Sequence, residues 1–266
     1  MTRRRLGITL LALALVPAVL LGVLLYRQAS RPGRDTESRV QAAVLERAAE
    51  NVAHSPSEDA EEPGELPPYV SPVDFETLWR MNPDIYAWLY IPNTEINYPI
   101  LQREGDDGYY LTHGSDAEAS DTGAVFTESA YNSRDFTDPA VLIYGHHMRS
   151  GAIFGNLQAL YCTPEGIGEH PEVVVYLPER ELRYRVFAAV PFDMWHVLYY
   201  NDFSDPEQFQ AFLEEVYSVR SINARFDESV EVTAEDRLVI LSTCLQGDSK
   251  KRYLVLAAMA AETPVS

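Results

Sequence analysis

The stretch RLVILSTCLQGDSKKRYLVLAAM, residues 237–259, decides the fold, because it reads as two strands joined by a turn. The aliphatic run at 238–242 leads into Cys244, and a second run begins at Arg252. The residues at 245–249, which lie between the runs, are mostly turn formers. If the two strands pair as neighbours, the thiol of Cys244 lies near the guanidinium of Arg252.

Short apolar runs of the same kind, separated by turn residues, continue along the chain beyond residue 70. We predict eight strands, at 86–91, 96–101, 123–126, 140–144, 172–177, 181–192, 238–242 and 252–259. Eight strands on one chain indicate a mainly-β sandwich or barrel in which interior and exterior positions alternate. Helical patterns are few and lie at 74–80, 153–161 and 205–220.

The composition indicates a folded, acidic protein. Its 266 residues are 46% hydrophobic, which supplies a sizeable core and excludes disordered, collagen-like and coiled-coil classes for the whole chain. Lys and Arg total 21 against 40 for Asp and Glu, a net charge of -19, which argues against a nucleic-acid partner. Six basic residues precede the first acid, Asp35, so the part from Asp35 onward has a net charge of -25.

The segment at 6–26 predicts a membrane span. Its 21 residues are uncharged and mostly aliphatic, and a helix of about 20 residues crosses a hydrocarbon core of about 30 Å. A cleaved secretory signal is the alternative, although its apolar part is usually about 7 to 15 residues long. Arg3, Arg4 and Arg5 favour a cytoplasmic N-terminus. We therefore expect a single-pass protein of the cell membrane whose acidic domain is extracellular.

The residues after this span connect it to the folded part. Apolar spacing predicts a helix over 36–54, and the stretch at 55–69 is rich in Pro and acids, which predicts a linker or an extended strap. The expected organisation has four parts: a cytoplasmic tail at 1–5, a transmembrane anchor at 6–26, the juxtamembrane helix and linker at 27–70, and the folded domain at 71–266.

Only two cysteines occur, Cys162 and Cys244. In a chain expected to leave the reducing cytoplasm, a disulfide, two inert buried thiols and a reactive thiol all fit this composition. The local sequence favours reactivity at Cys244, because a thiol at a strand end beside a loop is accessible to a substrate. A cation such as Arg252 beside it stabilises a thiolate and the oxyanion formed when sulfur attacks a carbonyl. A solvated strand-end charge is the alternative for Arg252.

His146 and His147 differ from the other four histidines, because they follow the apolar run VLIYG at a strand terminus and precede a loop. A base at that position can face a thiol at another strand end. The alternative is a metal site, but adjacent histidines on a strand point apart and no Cys or His partner lies at ligand spacing. Of the remaining histidines, His113 fits a structural position, and His54, His170 and His196 fit the surface.

Several motifs together resemble the sortases, the cysteine transpeptidases of Gram-positive surfaces, and class B most of all. The motifs occur in family order over 74–259, nearly all of the folded part. They are YAWLYIPNTEINYPILQ (86–102), DDGYYL (106–111), GAVF (123–126), VLIYGHHM (141–148), IFGNL (153–157), LSTC (241–244) and the strand that begins at Arg252. The resemblance implies an eight-stranded β-barrel with N-terminal helices and a helix between late strands, and it makes 71–266 the catalytic domain.

The same resemblance implies that the catalytic Cys, His and Arg are Cys244, His146 and Arg252. The sulfur attacks the Thr carbonyl of a C-terminal sorting signal, and His146 protonates the departing amine. The oxyanion is held by Arg252 and the backbone N–H of Leu245. A cell-wall or pilin amine then releases the thioester, and no metal or organic cofactor is required. His146 is preferred over His147, because the family places the catalytic ring directly after Gly.

The resemblance also implies substrate contacts and partners. Contacts are expected from four residues, with ordinary barrel packing as the alternative: Leu111, Leu198, Tyr199 and Ser242. The expected partners are surface proteins with a C-terminal sorting signal, an amine of peptidoglycan or its lipid-linked precursor, and the membrane through the N-terminal helix. Asp107 departs from the family pattern, which often has Asn there, and the sorting motif itself stays open.

Three functions are compatible with these residues. The first is a membrane-anchored transpeptidase. The second is a secreted cysteine peptidase that only hydrolyses. The third is a surface β-barrel binding module in which Cys162 and Cys244 form a disulfide and no thiol is left to react.

Overall fold

Nine strands are present in the computed structural model, which describes residues 69–263 and positions 39, 41, 42, 45 and 46. Their bounds are β1 Ile85–Tyr90, β2 Asn97–Leu101, β3 Val125–Phe126, β4 Ala140–Tyr144, β5 Glu172–Tyr176, β6 Glu181–Asp193, β7 Arg225–Phe226, β8 Leu238–Leu245 and β9 Asp248–Glu262. Eight of them form a closed ring in the order β1-β2-β3-β4-β8-β9-β6-β5, and β5 pairs again with β1. The predicted eight-stranded barrel is therefore confirmed.

The ring is mainly antiparallel, with two parallel pairs, β2 with β3 and β4 with β8. The parallel pair of β4 and β8 matters for the site, because both strands then end at the same rim of the barrel. The ninth strand, β7, lies outside the ring and pairs only with Ala188 and Ala189 of β6. It was not predicted, because two half-buried residues leave no readable alternation in the sequence.

Alternation along β8 and β9 builds two apolar layers. Val239 and Leu241 of β8 belong to a cluster that collects side chains from all eight barrel strands, the barrel interior. Leu238 and Ile240 point the other way, into a second cluster outside the barrel. The period of two along a strand produces this division, and because both faces are covered, every residue from 238 to 243 is buried.

The outer cluster is covered by the longest helix described. The helices are α1 Phe75–Met81, α2 Leu157–Tyr161, α3 Gly166–Glu169, α4 Val197–Tyr200 and α5 Pro206–Ser218, with a 3-10 turn at Tyr109–Leu111. Asp205 caps α5 by accepting the backbone N–H of Glu207 at 2.9 Å, and Pro206 occupies the first turn. The buried residues of α5 recur at helical spacing: Phe209, Phe212, Leu213 and Val216.

The helices predicted at 74–80 and 205–220 are present with small shifts at their ends. The one predicted at 153–161 begins only at Leu157, because Ile153 has a positive φ of 57° and pairs as an isolated bridge with His147. The short helices α3 and α4 were not predicted.

The N-terminal part is described at five positions only, and all five are helical. They fall within the helix predicted over 36–54, the rest of which lies outside the described residues. Gln41 contacts β2, since its Nε2 donates to the carbonyl of Asn97 at 2.8 Å and its own carbonyl accepts from Asn97 Nδ2 at 3.1 Å. Apart from Tyr69, the linker predicted at 55–69 also lies outside the described residues.

The membrane location predicted from the sequence has to be corrected. Among the residues that the structure describes, no helix is long and apolar enough to cross a bilayer. The longest, α5, has 13 residues and is amphipathic, whereas a span needs about 20 apolar residues. A single-pass protein with a cytoplasmic N-terminus and an extracellular domain is therefore not supported. The predicted span at 6–26 lies outside the described residues.

The outer layer gives a test of the packing. Phe209→Ala removes a fully buried ring between α5 and the barrel, so we expect the free energy of unfolding to fall by about 3–5 kcal/mol in a denaturant titration. Glu215→Ala on the exposed side of the same helix should change it by less than about 0.5 kcal/mol. Equal losses in the two variants would contradict the assigned core.

Candidate active site

The β8–β9 hairpin brings Cys244 and Arg252 together. The two residues are directly opposite in the antiparallel register, and Nη1 of Arg252 donates to Sγ of Cys244 at 3.0 Å. Leu245 pairs with Asp248 across a turn that contains Gly247, whose φ is 86°. Both reacting side chains are half-buried at the barrel rim. The sulfur and the guanidinium lie next to each other, as expected from the sequence. The catalytic roles of the two residues stay a prediction.

His146 reaches the same rim from the next strand. In the parallel pair of β4 and β8, Tyr144 lies opposite Ser242, and the N–H of Gly145 donates to the Ser242 carbonyl at 3.1 Å. His146 and Cys244 each follow this pair by two residues in the same chain direction, so both lie at the same end of the two strands. The strand order β4-β8-β9 therefore presents His, Cys and Arg in sequence along the rim.

The imidazole of His146 is held by a backbone carbonyl. Its Nε2 lies 2.8 Å from the carbonyl oxygen of Leu111, and because a carbonyl only accepts, Nε2 carries the proton. In the neutral ring this leaves Nδ1 as the basic nitrogen. The carbonyl thus fixes the tautomer and the orientation of the imidazole, as a carboxylate does in a Ser-His-Asp triad.

Gly123 makes this contact possible. Its φ is 58°, and a Cβ at this position would lie 2.5 Å from the carbonyl oxygen of Tyr110 and 2.9 Å from Cδ2 of His146. No side chain fits there without moving the segment that carries Leu111 or the imidazole. The glycine of the GAVF motif is therefore a structural requirement for the position of His146.

His147 takes no part in this arrangement. Its backbone pairs with Ile153, and its buried Nδ1 has no hydrogen-bond partner among the described residues. The metal alternative finds no support in the described part of the chain, where no three His, Cys, Asp or Glu side chains are grouped as a metal site requires.

Both cysteines are free. Cys162 ends α2, where its Sγ lies 4.0 Å from the carbonyl oxygen of Ala159. The alternative function as a binding module required a disulfide between Cys162 and Cys244, and this disulfide is not formed. Leu245, the expected backbone donor to an oxyanion, follows Cys244 at an irregularity in the strand register.

A groove of about 210 Å³ opens beside Arg252. Of the four predicted substrate contacts, Leu111 and Ser242 line it, although Ser242 is only 3% exposed. Leu198 and Tyr199 instead line a neighbouring depression of about 330 Å³. The structure thus divides the predicted contacts between two sites.

Three groove residues were not singled out from the sequence: Glu128, Tyr144 and His196. Nε2 of His196 lies 2.5 Å from Oε2 of Glu128 and 3.3 Å from the hydroxyl of Tyr144. Burial and the Glu128 carboxylate raise the pKa of Tyr144 above its usual range, so its hydroxyl stays protonated. Tyr144 could have been found from the sequence, because it lies directly before Gly145 and His146. His196 could not, because its surroundings in the sequence indicated a surface residue.

Comparisons with known proteins agree with this geometry. Residues 89–260 match the family model described as Sortase domain. The chain is 30% identical over 182 residues to Sortase B of Listeria monocytogenes, covering 68% of this chain and 69% of the relative. It is 28% identical over 185 residues to Sortase B of Staphylococcus aureus, covering 69% and 73%. The crystal structure of Staphylococcus aureus Sortase B shares the fold with a TM-score of 0.66 at 22% identity, covering 86% of this chain and 99% of that one.

The protein is thus a closed β-barrel with a free thiol paired to an arginine at its rim. The chain belongs to the sortase family of transpeptidases. Its relatives and structural neighbours are class B members, which confirms the resemblance drawn from the motifs.

The steric role of Gly123 beside His146 is tested by substitution. We expect Gly123→Ala to lower the free energy of unfolding by more than the roughly 1 kcal/mol that a positive φ alone costs. Gly105→Ala is the matched control, because Gly105 has a φ of 77° and nothing within 4 Å of its Cβ position. Thermal or denaturant unfolding measures both, and equal losses would contradict the steric role of Gly123.

Proposed function

We propose that the domain at 71–266 cleaves a C-terminal sorting signal after Thr and transfers the new carboxyl end to an amine of the cell wall or of a pilin. The observation that carries this proposal is the hydrogen bond of 3.0 Å between Arg252 and the Cys244 sulfur. This hydrogen bond joins the Cys244 thiol to a guanidinium that can also donate to an oxyanion. Membership in the sortase family supports the reaction class.

In the first half-reaction, the Cys244 sulfur attacks the Thr carbonyl carbon and forms a C–S bond. The negative charge that develops on the carbonyl oxygen is met by Arg252 and by the backbone N–H of Leu245. The C–N bond then breaks, and the departing amine takes the proton that left the thiol, carried by His146. The product is a thioester between Thr and Cys244, together with the released end of the signal.

In the second half-reaction, an acceptor amine attacks the thioester. His146 removes a proton from this amine, the C–S bond breaks and the sulfur leaves. The Arg252 guanidinium stabilises the second oxyanion in the same position as the first. Every step uses proton transfer and nucleophilic attack, so side chains of this chain supply all the groups required.

The groove beside Arg252 is the proposed binding site for the residues before the scissile bond. Leu111 and Ser242 line this groove, and we expect them to contact an extended peptide there. Asp107, at a position that is often Asn in the family, also lines the groove, and its Oδ1 accepts the N–H and the hydroxyl of Ser129 at 2.6 and 2.8 Å. Tyr199 is 65% exposed on the neighbouring depression, where it is available to the rest of the sorted protein.

Hydrolysis is the second candidate, because the same thioester reacts with water when no amine is present. Incubation with a signal peptide and a glycine-rich or diaminopimelate-containing amine separates the two functions. A transfer product detected by mass spectrometry supports the transpeptidase. Cleaved peptide with no transfer product at saturating amine supports the peptidase.

The nucleophile is tested by exchanging each cysteine. Cys244→Ala should abolish acyl-enzyme formation, because no other group at the rim forms a thioester. Cys162→Ala should keep turnover within about twofold of the wild type, since Cys162 is the C-cap of α2 and its Sγ contacts the carbonyl oxygen of Ala159 in its own helix. Peptide cleavage followed by chromatography measures both, and cleavage by the Cys244 variant would refute the assignment.

The role of the Arg252 guanidinium is tested with a substitution that keeps the positive charge. Arg252→Lys retains a cation but loses the planar fork, and we expect kcat/KM to fall by about 100- to 1,000-fold, as for loss of an oxyanion donor. Lys251→Arg, a conservative exchange at the exposed neighbouring position, should leave kcat/KM unchanged. A full rate in Arg252→Lys would show that charge alone suffices.

A further inference from the structure

The segment at 194–200 lines the groove with its residues 194–197, and its packing on the core is confined to the buried Val197 and the partly buried Leu198. It follows β6 directly after the point where Phe192 pairs with Arg252. Met194 and Trp195 are 56% and 60% exposed, so they bury little of the apolar area that fixes a loop. The helix α4 within the segment has only four residues, which is too short to be stable by itself.

Both ring nitrogens of His196 form hydrogen bonds that hold this segment in place. Nε2 donates to Oε2 of Glu128 at 2.5 Å, and Nδ1 accepts the backbone N–H of Tyr199 at 3.1 Å, which caps α4. A carboxylate accepts and an N–H donates, so one tautomer of the neutral imidazole satisfies both contacts. The Tyr131 ring packs on the imidazole with a centroid separation of 4.5 Å.

Glu128 belongs to the opposite side of the groove. It follows β3 by two residues, and its carbonyl accepts the backbone N–H groups of Tyr131 and Asn132 at 3.2 and 3.0 Å, so its main chain is fixed to the barrel. The side chains of Glu128 and His196 are 19% and 28% exposed. A charge-assisted hydrogen bond between half-buried groups is stronger than an exposed ion pair.

We propose that His196 and Glu128 form a clasp that holds the segment at 194–200 across the groove and thereby sets the affinity and selectivity for the sorting signal. Both are positioning residues, because they act through the wall of the groove and not on the reacting atoms. This inference rests on the proposed function, since the groove's occupant is taken to be the signal peptide.

The position of the clasp explains why binding should change more than chemistry. Along the rim, the strands β4, β8, β9 and β6 lie side by side, so the clasped segment continues the row His146, Cys244, Arg252 on the side of Arg252. Loss of the clasp widens the groove but leaves the β8–β9 register unchanged. Peptide affinity should therefore fall while the step at the sulfur keeps its rate.

The first test measures the clasp without any substrate. Amide hydrogen exchange at 194–200 should accelerate by about 10- to 100-fold in His196→Ala and in Glu128→Ala, as expected for loss of a hydrogen bond to a charged group. Glu179→Ala, in the exposed turn between β5 and β6 at the other end of the barrel, should leave exchange in the segment unchanged. Unaltered exchange in the two clasp variants would overturn the proposal.

The second test measures peptide capture, and its probe is a library of pentapeptides that each contain a Thr. For peptides that the wild type captures as thioesters, we expect KM to rise by about 10-fold or more in either clasp variant while kcat stays within about twofold. The double variant should be no worse than each single one, because the two side chains act as a unit. A fall in kcat at unchanged KM would overturn the positioning role.

A third variant removes one of the two hydrogen bonds of the His196 side chain and keeps the other. His196→Asn keeps a good helix cap but is too short to reach Glu128, so exchange at 194–200 should accelerate as in Glu128→Ala and the rise in KM should persist. If His196→Asn restores the wild-type KM, capping alone explains the effect and the clasp is refuted. A wild-type enzyme that captures no library peptide refutes the proposed function and the role in peptide binding, while hydrogen exchange still decides whether the clasp holds the segment.

Discussion

The register of the β8–β9 hairpin is the constraint on which the rest of the site depends. It places Cys244 opposite Arg252 and sets the sulfur 3.0 Å from a guanidinium nitrogen. Because successive side chains of a strand point to opposite faces, a slip of one residue would turn one member of the pair away from the other. The register is fixed by burial on both faces, since one set of β8 side chains fills the barrel and the other packs under α5. A large part of the core thus serves to hold two polar side chains at one rim.

The rest of the rim follows from strand order. The parallel pairing of β8 with β4 delivers His146 beside Cys244, and the antiparallel pairing of β9 with β6 delivers the segment at 194–200 beside Arg252. The imidazole is then oriented by the carbonyl of Leu111 in a space that only a glycine at 123 leaves open. Side chains that are far apart in sequence lie along one rim because four neighbouring strands, β4, β8, β9 and β6, each have one end there.

The sequence predicted the parts of this structure that depend on local patterns. The eight barrel strands, α1 and α5 were readable, because alternation, capping residues and helical spacing are properties of neighbouring residues. The pair of Cys244 and Arg252 was predictable as well, since a hairpin is local. The strand β7 and the helices α3 and α4 are too short to carry a pattern, and tertiary contacts impose them. Glu128 and His196 are 68 residues apart, so nothing near His196 distinguished it from a surface histidine. For the same reason the sequence did not show that Leu198 and Tyr199 line a different depression from Leu111 and Ser242.

In the proposed reaction, the sulfur held by Arg252 forms an acyl intermediate with a sorting signal. The most direct measurement is mass spectrometry of the intact wild-type protein after brief exposure to sorting-signal peptides, followed by digestion to locate the modified residue. We expect an acyl adduct on Cys244 that is released by hydroxylamine, as a thioester requires. An adduct on another residue, or cleavage of the peptides with no acyl group passing through Cys244, would contradict it.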